Sequence, residues 1–322
     1  MKNALHQQAI IYLCLLVFGL SNSCSKKSTE PDTEPGFQLG KNNYTMDIDG
    51  ITREYIVHVP AGYDENNSTP AVFMLHAASG SGEVTYKNSG WQSLGENENI
   101  LTIYPTALVY CYEQSSGGTK TTTRWNSLPG VATFCQGQTL QDDVKFLRQV
   151  VTELHQRFNV DSQRIYMVGF SSGAQMSFRC AVEMSDVLAA VVQSGGTHQV
   201  DTVFTPQRNL PISFFLGNKE PWYGNGVSWS LSLFDSALTN YPLFQKITNV
   251  HTNSFDFEQT YTMTGDTNSV LVATFKSIPD VGNRQFNFAF VKGLDHSYPN
   301  GSNHPMYGAG VHWEWLKQYT LP

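Results

Sequence analysis

The segment Gly169-Phe170-Ser171-Ser172-Gly173 constrains the possible folds of this chain more than any other. It follows the apolar run 164–168 and precedes a helix-like run, 174–183. A G-x-S-x-G pattern between a strand and a helix is typical of a nucleophile elbow, where glycines flanking a strained turn avoid steric clashes. The segment therefore predicts that Ser171 is an exposed nucleophile on an α/β scaffold; the alternative is an ordinary glycine-rich turn.

Apolar runs of strand length recur along the chain and alternate with helix-like segments. The runs are 55–59, 71–75, 100–104, 165–168, 189–192, 212–216 and 286–291. Those between 71 and 216 are largely apolar throughout, as expected of parallel strands covered on both faces. The clearest amphipathic segments are 142–158, where Asp142 and Asp143 are interpreted as N-terminal caps, and 311–319. The pattern predicts one domain of the α/β class, with a mostly parallel sheet flanked by helices and ligands at the carboxyl ends of the strands.

The N-terminus has the pattern of a bacterial lipoprotein signal peptide. Lys2 precedes the apolar stretch 9–20, which is too short to span a membrane, and Cys24 follows small residues. We expect a signal peptide over 1–23, lipidation of Cys24, a flexible tether over 24–38 and a catalytic domain over 39–322. The alternative is ordinary signal cleavage with Cys24 incidental. The prediction is an exported lipoprotein in the outer membrane, at the cell surface or in the periplasm, with the lipid as its only membrane contact.

Three cysteines remain for an oxidising compartment: Cys111, Cys135 and Cys180. Cys111 and Cys135 flank a polar excursion, which favours a disulfide between them, whereas Cys180 is expected to be a buried free thiol. The histidines near the C-terminus are too widely spaced for a known metal motif, so no metal is predicted. The formal charge is -7 and the basic residues do not cluster, which excludes a nucleic-acid partner.

A serine nucleophile needs a base and an acid, which in this arrangement follow it along the chain. His296 directly follows the run 286–291 and is the predicted base. Glu220 follows the run 212–216 and is the predicted acid. The alternatives left open are His198 and His304 for the base, and Asp235, Asp280 and Asp295 for the acid. Oxyanion donors are expected from the backbone amides of Ser172 and Ala78, with His76 structural.

An ordered set of motifs resembles one family of secreted esterases. The segments are 55–63, His76 after Leu75, Arg124-Trp125-Asn126, 142–147, 159–166, 169–173 and 293–299. Together they resemble the α/β-hydrolase esterases of the polyhydroxybutyrate-depolymerase and feruloyl/acetylxylan-esterase group. The resemblance implies an α/β-hydrolase fold, no cofactor, and a Ser/Asp/His triad acting on ester bonds. By position Ser171 is the nucleophile and His296 the base, while Glu220 stands where the family has Asp and Ala77 where it usually has Gly.

The resemblance implies removal of feruloyl or acetyl groups from an esterified, xylan-type polysaccharide. Trp125 and Trp222 are predicted to contact this substrate, and Trp91 and Trp229 are further candidates; core packing is the alternative for each. Two alternative functions remain: a polyhydroxyalkanoate depolymerase, and an inactive glycan-binding lipoprotein on the same scaffold.

Overall fold

The computed structural model of the chain describes residues 36–322, except 115–116, 129–131, 197–200, 224–226 and 279–283. The predicted signal peptide, the lipidation site Cys24 and most of the tether lie outside the described residues, as do the alternative candidates His198 and Asp280. The predictions made for these positions stay predictions.

The strands fall where the apolar runs predict them, with additional strands near both ends of the chain and at 109–113 and 119–123. They are β1 (Gly40–Ile48), β2 (Ile51–Val59), β3 (Thr69–Leu75), β4 (Leu101–Pro105), β5 (Val109–Glu113), β6 (Thr119–Thr123), β7 (Val160–Phe170), β8 (Ala190–Ser194), β9 (Ile212–Gly217), β10 (Phe257–Asp266), β11 (Val270–Ser277) and β12 (Gln285–Val291).

Among the described residues, the helices include the three that the sequence predicts and four that it does not, three of which have eight residues or fewer. They are α1 (Gly82–Asn88), α2 (Trp91–Glu98), α3 (Asp143–Arg157), α4 (Ser172–Glu183), α5 (Phe234–Asn240), α6 (Pro242–Ser254) and α7 (Gly308–Leu316), with short 3-10 turns at Pro221–Tyr223 and Leu231–Leu233. Asp142 caps α3 by accepting from the amide of Val144 at 3.0 Å, as predicted.

Ten described strands form one sheet in the order β1-β2-β4-β3-β7-β8-β9-β12-β11-β10. The six central strands, which stand in the order β4-β3-β7-β8-β9-β12, are parallel. The strands at both edges of the sheet pair antiparallel. A mostly parallel sheet is therefore confirmed. Because the central strands share one direction, their carboxyl ends meet at one edge, where β7, β9 and β12 release the predicted functional residues.

The sheet separates two apolar cores, and this explains why its central strands are apolar throughout. In β3, Phe73 and Leu75 face the core beneath α3, α4 and α6, while Val72 and Met74 face the core beneath α2 and α7. Successive side chains of a strand point to opposite faces, so a strand covered on both faces buries every residue. The site at the carboxyl edge is thus built on a scaffold that is packed on both sides.

Asp143 is more than the helix cap that the sequence analysis assigns to it. Its carboxylate is fully buried, accepts from Arg53 Nη2 at 2.6 Å, and accepts from the amide of Asn126 at 2.7 Å. Burial raises the pKa of Asp143, and Arg53 opposes that shift. The interpretation as a cap alone is therefore wrong for Asp143, because it holds the Arg124-Trp125-Asn126 segment in place.

Candidate active site

Ser171 sits on a strained turn between β7 and α4. Its backbone torsions are φ 54° and ψ -116°, a positive φ that non-glycine residues rarely adopt. A Cβ at Gly169 would lie 2.1 Å from the carbonyl oxygen of Gly173, and one at Gly173 would lie 2.3 Å from that of Leu75. No side chain fits at either position, which is the physical reason for the two glycines that the elbow pattern requires.

The side chains of Ser171, His296 and Glu220 form one hydrogen-bonded line. His296 Nε2 lies 2.9 Å from Ser171 Oγ, and His296 Nδ1 lies 2.7 Å from Glu220 Oε2. Because a carboxylate can only accept, Nδ1 carries the proton and Nε2 is left to accept from the serine hydroxyl. Glu220 is 1% exposed and His296 28% exposed, so the acid is buried while the base faces the solvent side of the site. The arrangement can deprotonate Ser171 during attack on an acyl carbon.

Each member of this line comes from the carboxyl end of a parallel strand. Ser171 follows β7, Glu220 follows β9, and His296 follows β12. Strand β8 lies between β7 and β9 and is followed by Gly195, where a Cβ would lie 3.2 Å from Glu220 Oε1 and 3.5 Å from His296 Nδ1. The glycine therefore leaves room for the carboxylate and the imidazole to meet.

Asn218 joins the loop of the acid to the loop of the base, and sequence reasoning missed it. Its Oδ1 accepts from the amide of Gly293 at 2.6 Å, and its Nδ2 donates to the carbonyl of Trp229 at 2.6 Å. Its own amide donates to the carbonyl of Val291 at 2.9 Å. The only sequence signal was its place two residues before Glu220, which does not distinguish a bracing amide from a loop residue.

The alternative bases and acids within the described residues are engaged elsewhere. His304 pairs through Nε2 with the carbonyl of Lys292 at 2.9 Å. Asp235 accepts from the hydroxyl of Tyr261 at 2.8 Å, and Asp295 accepts from that of Ser297 at 2.6 Å. Of the candidates that the structure describes, His296 and Glu220 are the ones that it places beside Ser171.

The two predicted oxyanion donors lie on neighbouring segments. Ser172 is the first residue of α4, and amides in the first turn of a helix have no partner within the helix. Ala78 lies in the loop after β3, and this strand end packs directly against α4, since a Cβ at Gly173 would also lie 2.7 Å from the carbonyl oxygen of His76. We refer to residues 76–80 as the oxyanion loop.

His76 supports this loop and takes no part in proton transfer. Its Nε2 accepts from the amide of Ala107 at 2.9 Å, so its Nδ1 donates to the carbonyl of Ala77 at 2.7 Å. Burial lowers the pKa of His76 to about 4, which keeps the imidazole neutral at physiological pH. The expected structural role of His76 agrees with these contacts.

A cavity of about 300 Å³ opens beside the triad, between the oxyanion loop, α1 and the loop after β12. Its wall combines apolar and aromatic groups with amides: Met74, Val84, Phe170, Tyr298, Asn88 and Asn303. His296 and Ala77 also border it. A group bound in this cavity would therefore lie next to the base and the oxyanion loop.

The tryptophans differ in their access to this region. Trp222 is 37% exposed and its ring lies 5.1 Å from that of His296, edge to face. Trp125, the other predicted substrate contact, is 0% exposed; its Nε1 donates to the carbonyl of His76 and its ring packs on that imidazole. The prediction that Trp125 contacts substrate is therefore wrong, because the indole is enclosed in the core. Trp91 is also buried, and Trp229 packs on Tyr241.

Two of the three cysteines among the described residues form a disulfide bond. Cys111 and Cys135 form a disulfide with a Cα separation of 5.4 Å, and Cys180 is a buried free thiol whose pKa is raised by burial.

Among the described residues, no group of three or more His, Cys, Asp or Glu side chains could hold a metal ion. Within the same residues, no helix has the length and apolar character needed to cross a membrane.

The mostly parallel sheet and the hydrogen-bonded line of Ser171, His296 and Glu220 at its carboxyl edge define the class of the α/β-hydrolase fold. Residues 132–242 match the model of the dienelactone hydrolase family. The chain is 30% identical over 149 residues to poly(3-hydroxyalkanoate) depolymerase C of Paucimonas lemoignei, covering 46% of this chain and 32% of that protein. It is 29% identical over 182 residues to feruloyl esterase B of Piromyces equi, covering 55% and 31%. The chain thus spans about a third of the length of these two relatives.

A solved structure supports the same fold. The acetyl xylan esterase from Aspergillus awamori superposes with a TM-score of 0.56 at 13% identity, covering 86% of this chain and 99% of that one. The resemblance to the polyhydroxybutyrate-depolymerase and feruloyl/acetylxylan-esterase group, expected from the ordered motifs, is confirmed by these relatives, and the α/β-hydrolase fold by this structure.

Proposed function

We propose that the chain is a carboxylic-ester hydrolase that removes feruloyl or acetyl groups from a plant polysaccharide of the xylan type, without a cofactor. The observation that carries this proposal is the hydrogen-bonded line Ser171–His296–Glu220, whose histidine borders the 300 Å³ cavity. A nucleophile hydrogen-bonded to a base, itself oriented by a buried acid, is the arrangement that acyl transfer requires.

The reaction proceeds in two halves through an acyl-enzyme. His296 Nε2 takes the proton of Ser171 as Oγ attacks the ester carbonyl, and Glu220 stabilises the imidazolium through Nδ1. The amides of Ser172 and Ala78 donate to the oxyanion of the tetrahedral intermediate. The alcohol leaves with the proton from His296. Water then attacks the acyl-enzyme with His296 again as base, which releases the acid and restores Ser171.

The cavity favours the larger of the two acyl groups. Its volume of about 300 Å³ is at the lower end of pockets that enclose drug-sized ligands and far exceeds the space that an acetyl group fills. Phe170 and Tyr298 offer rings against which an aromatic acyl group can pack, and the side-chain amide of Asn88 can bind its phenolic oxygen. The exposed face of Trp222 is placed to stack on the sugar that carries the ester.

A second candidate function is the hydrolysis of a polyhydroxyalkanoate, which the 30% identity to a depolymerase of that polymer favours. The same triad serves both substrates, since each presents a carboxylic ester. The two differ in the group on either side of that ester, an aromatic acid on a sugar in one and a hydroxy-acid chain in the other. An inactive glycan-binding lipoprotein is the remaining alternative. Under each of the three candidate functions, the N-terminal lipid would hold the exported protein at a membrane.

The test assays the soluble form of the protein, which lacks residues 1–24, on three substrates. Hydrolysis of methyl ferulate, acetylated xylan and poly(3-hydroxybutyrate) is followed, with Ser171→Ala as the control for each. We expect turnover of methyl ferulate that vanishes in the variant. Turnover of the polyester alone would replace the proposal with the second candidate. No turnover of any substrate, with no fluorophosphonate labelling of Ser171, would leave the binding protein.

A further inference from the structure

The oxyanion loop has no regular secondary structure and is held by a second segment, residues 123–125. The amide of Ser79 donates to the carbonyl of Thr123 at 2.9 Å, and the hydroxyl of Thr123 donates to the carbonyl of Gly80 at 2.6 Å. Trp125 Nε1 donates to the carbonyl of His76 at 2.9 Å. The loop is therefore held at its first residue by Trp125 and at its last two by Thr123.

Ala78 lies between these fixed points. The turn is closed by a bond from the amide of Gly80 to the carbonyl of Ala77 at 3.0 Å, and Ser79 has a φ of 66°. A non-glycine residue at positive φ is held there by its surroundings, because the conformation is unfavourable in isolation. Thr123 accepts from the amide of Ser79 and donates to the carbonyl of Gly80, and these two residues directly follow Ala78. Because these bonds fix the two residues that directly follow Ala78, they limit the orientations that the backbone at Ala78 can adopt.

The segment that holds the loop is itself fixed from several sides. Thr123 ends β6, which pairs with β5, and the amide of Arg124 donates to the carbonyl of Leu108 at 2.9 Å. The amide of Asn126 is bound by the buried carboxylate of Asp143. The disulfide of Cys111 attaches β5 to a further stretch of chain. Thr123 therefore projects its hydroxyl from a rigid support.

We propose that Thr123 is a positioning residue for the esterase reaction: through Ser79 and Gly80 it aligns the amide of Ala78 with the developing oxyanion. This inference rests on the proposed function, in which that amide is an oxyanion donor. Donors of this kind act only when they are directed at the oxygen of the transition state, and an error of about 1 Å can cost about 100-fold in rate. Loss of the hydroxyl alone leaves the backbone bond to Ser79, so the expected loss is smaller.

The test uses Thr123→Val, which keeps the shape of the side chain and removes its hydroxyl, and Thr123→Ser, which keeps the hydroxyl. Thr121→Val is the matched control, because Thr121 is an exposed residue of the same strand. Initial rates on 4-nitrophenyl acetate, the rate of fluorophosphonate labelling of Ser171, and the melting temperature are measured for each protein.

We expect Thr123→Val to lower kcat and the labelling rate by about 10-fold with KM unchanged, and Thr123→Ser to recover most of both. Thr121→Val should match the wild type. A kcat and labelling rate for Thr123→Val within twofold of the wild type would overturn the proposal, whatever the melting temperature. If Thr123→Val does not fold, Thr123→Ala is measured against Thr123→Ser. A loss of about 10-fold in Thr123→Ala relative to Thr123→Ser would then support the proposal, and rates within twofold of each other would overturn it. A wild-type protein that neither turns over nor labels would instead refute the proposed function.

Discussion

Glu220 Oε2 accepts a hydrogen bond from His296 Nδ1 at 2.7 Å, with the carboxylate shut off from solvent at 1% exposure. A glutamate in this place must reach further than an aspartate, and the bare backbone of Gly195 beside its other oxygen makes room for it. The bond fixes the tautomer of His296 in which Nε2 is free to accept from Ser171. Glu220 and His296 therefore act as a unit, and a change in the acid should reduce the ability of His296 to deprotonate Ser171.

Replacing Glu220 by Gln should lower kcat by about 10⁴-fold on whichever ester the wild type hydrolyses. An amide can donate to Nδ1, which favours the tautomer with the proton on Nε2 and removes the base from Ser171. The fold should survive, because the amide has nearly the same shape as the carboxylate it replaces. Steady-state kinetics and circular dichroism of the variant check both statements.

Glu220→Asp is the matched comparison, since it keeps the charge and shortens the side chain. We expect an intermediate loss of about 10- to 100-fold, because the carboxylate withdraws from Nδ1 by about one carbon–carbon bond. Wild-type rates in both variants would show that the acid of this enzyme is another residue.

Replacing Trp222 by Ala should raise KM about 5- to 10-fold for a feruloylated oligosaccharide and change kcat little. The exposed ring offers a stacking surface beside the base, and loss of such a contact corresponds to about 1 kcal/mol. Trp222→Phe should retain most of the affinity. Val227→Ala, at an exposed apolar residue of the same loop, serves as the control, and an equal effect of both alanine variants would exclude a specific role for the indole.

Gly173→Ala should destabilise the protein by about 3 kcal/mol or more. The added methyl group would lie 2.3 Å from the carbonyl oxygen of Leu75, and β3 and α4 cannot separate without disturbing the core that they share. Gly50→Ala is the control, because Gly50 has a φ of 80° and open space around it, so strain alone should cost about 1–2 kcal/mol. Urea unfolding of both variants measures the difference, and equal losses would mean that the close approach is not the constraint.

The sequence was sufficient to predict the central strands and the three residues of the hydrogen-bonded line, for a physical reason. Strands buried on both faces are apolar at every position, and the residues that follow them meet at one edge of the sheet. Strand β10 lies at the edge of the sheet and carries many exposed polar residues, so its pattern resembles that of a loop. Edge strands of this kind lack the apolar signal on which the prediction depends.

The burial of Trp125 and the contacts of Asp143 could not be predicted, because both depend on pairs of residues far apart in the chain. Trp125 donates to His76, and Asp143 binds Arg53 across 90 positions. A tryptophan in a Gly- and Thr-rich region looks available for stacking, and an acid at a helix start looks like a cap. Only the tertiary contacts show that Trp125 is a core residue and that Asp143 binds Arg53 and Asn126.

Removing the disulfide should weaken the hairpin of β5 and β6 more than it weakens the sheet. In the chain-entropy account, a bridge across 24 residues stabilises by about 3 kcal/mol, and here it attaches the support of Thr123. We expect the double variant Cys111→Ser/Cys135→Ser to lose about that free energy of unfolding and to gain proteolytic cleavage between 109 and 135. Cys180→Ser is the comparison, because that thiol makes no bridge. A double variant as stable and as protease-resistant as the wild type would contradict the expectation.

Stability should fall as the pH drops below about 6.5, because three buried histidines are neutral in the folded protein. Burial lowers the pKa of His76 and His251 to about 4 and that of His312 to about 3, from an ordinary value of 6.5. The unfolded chain therefore binds protons first, so stability present above pH 6.5 is lost progressively down to about pH 4. At pH 5 each histidine should cost about 2 kcal/mol.

Asp143 acts in the opposite direction, since its pKa is raised by burial, and it reduces the net slope. The measurement is urea unfolding at pH 7.5, 6.0 and 5.0 for the wild type and for His251→Gln, which removes one of the three titrations. We expect the variant to start less stable at pH 7.5, because it disturbs the packing of His251 on Phe286, and then to lose less on acidification. Parallel pH profiles for the two proteins would mean that His251 is not neutralised by burial, and the assigned origin of the acid sensitivity would be wrong.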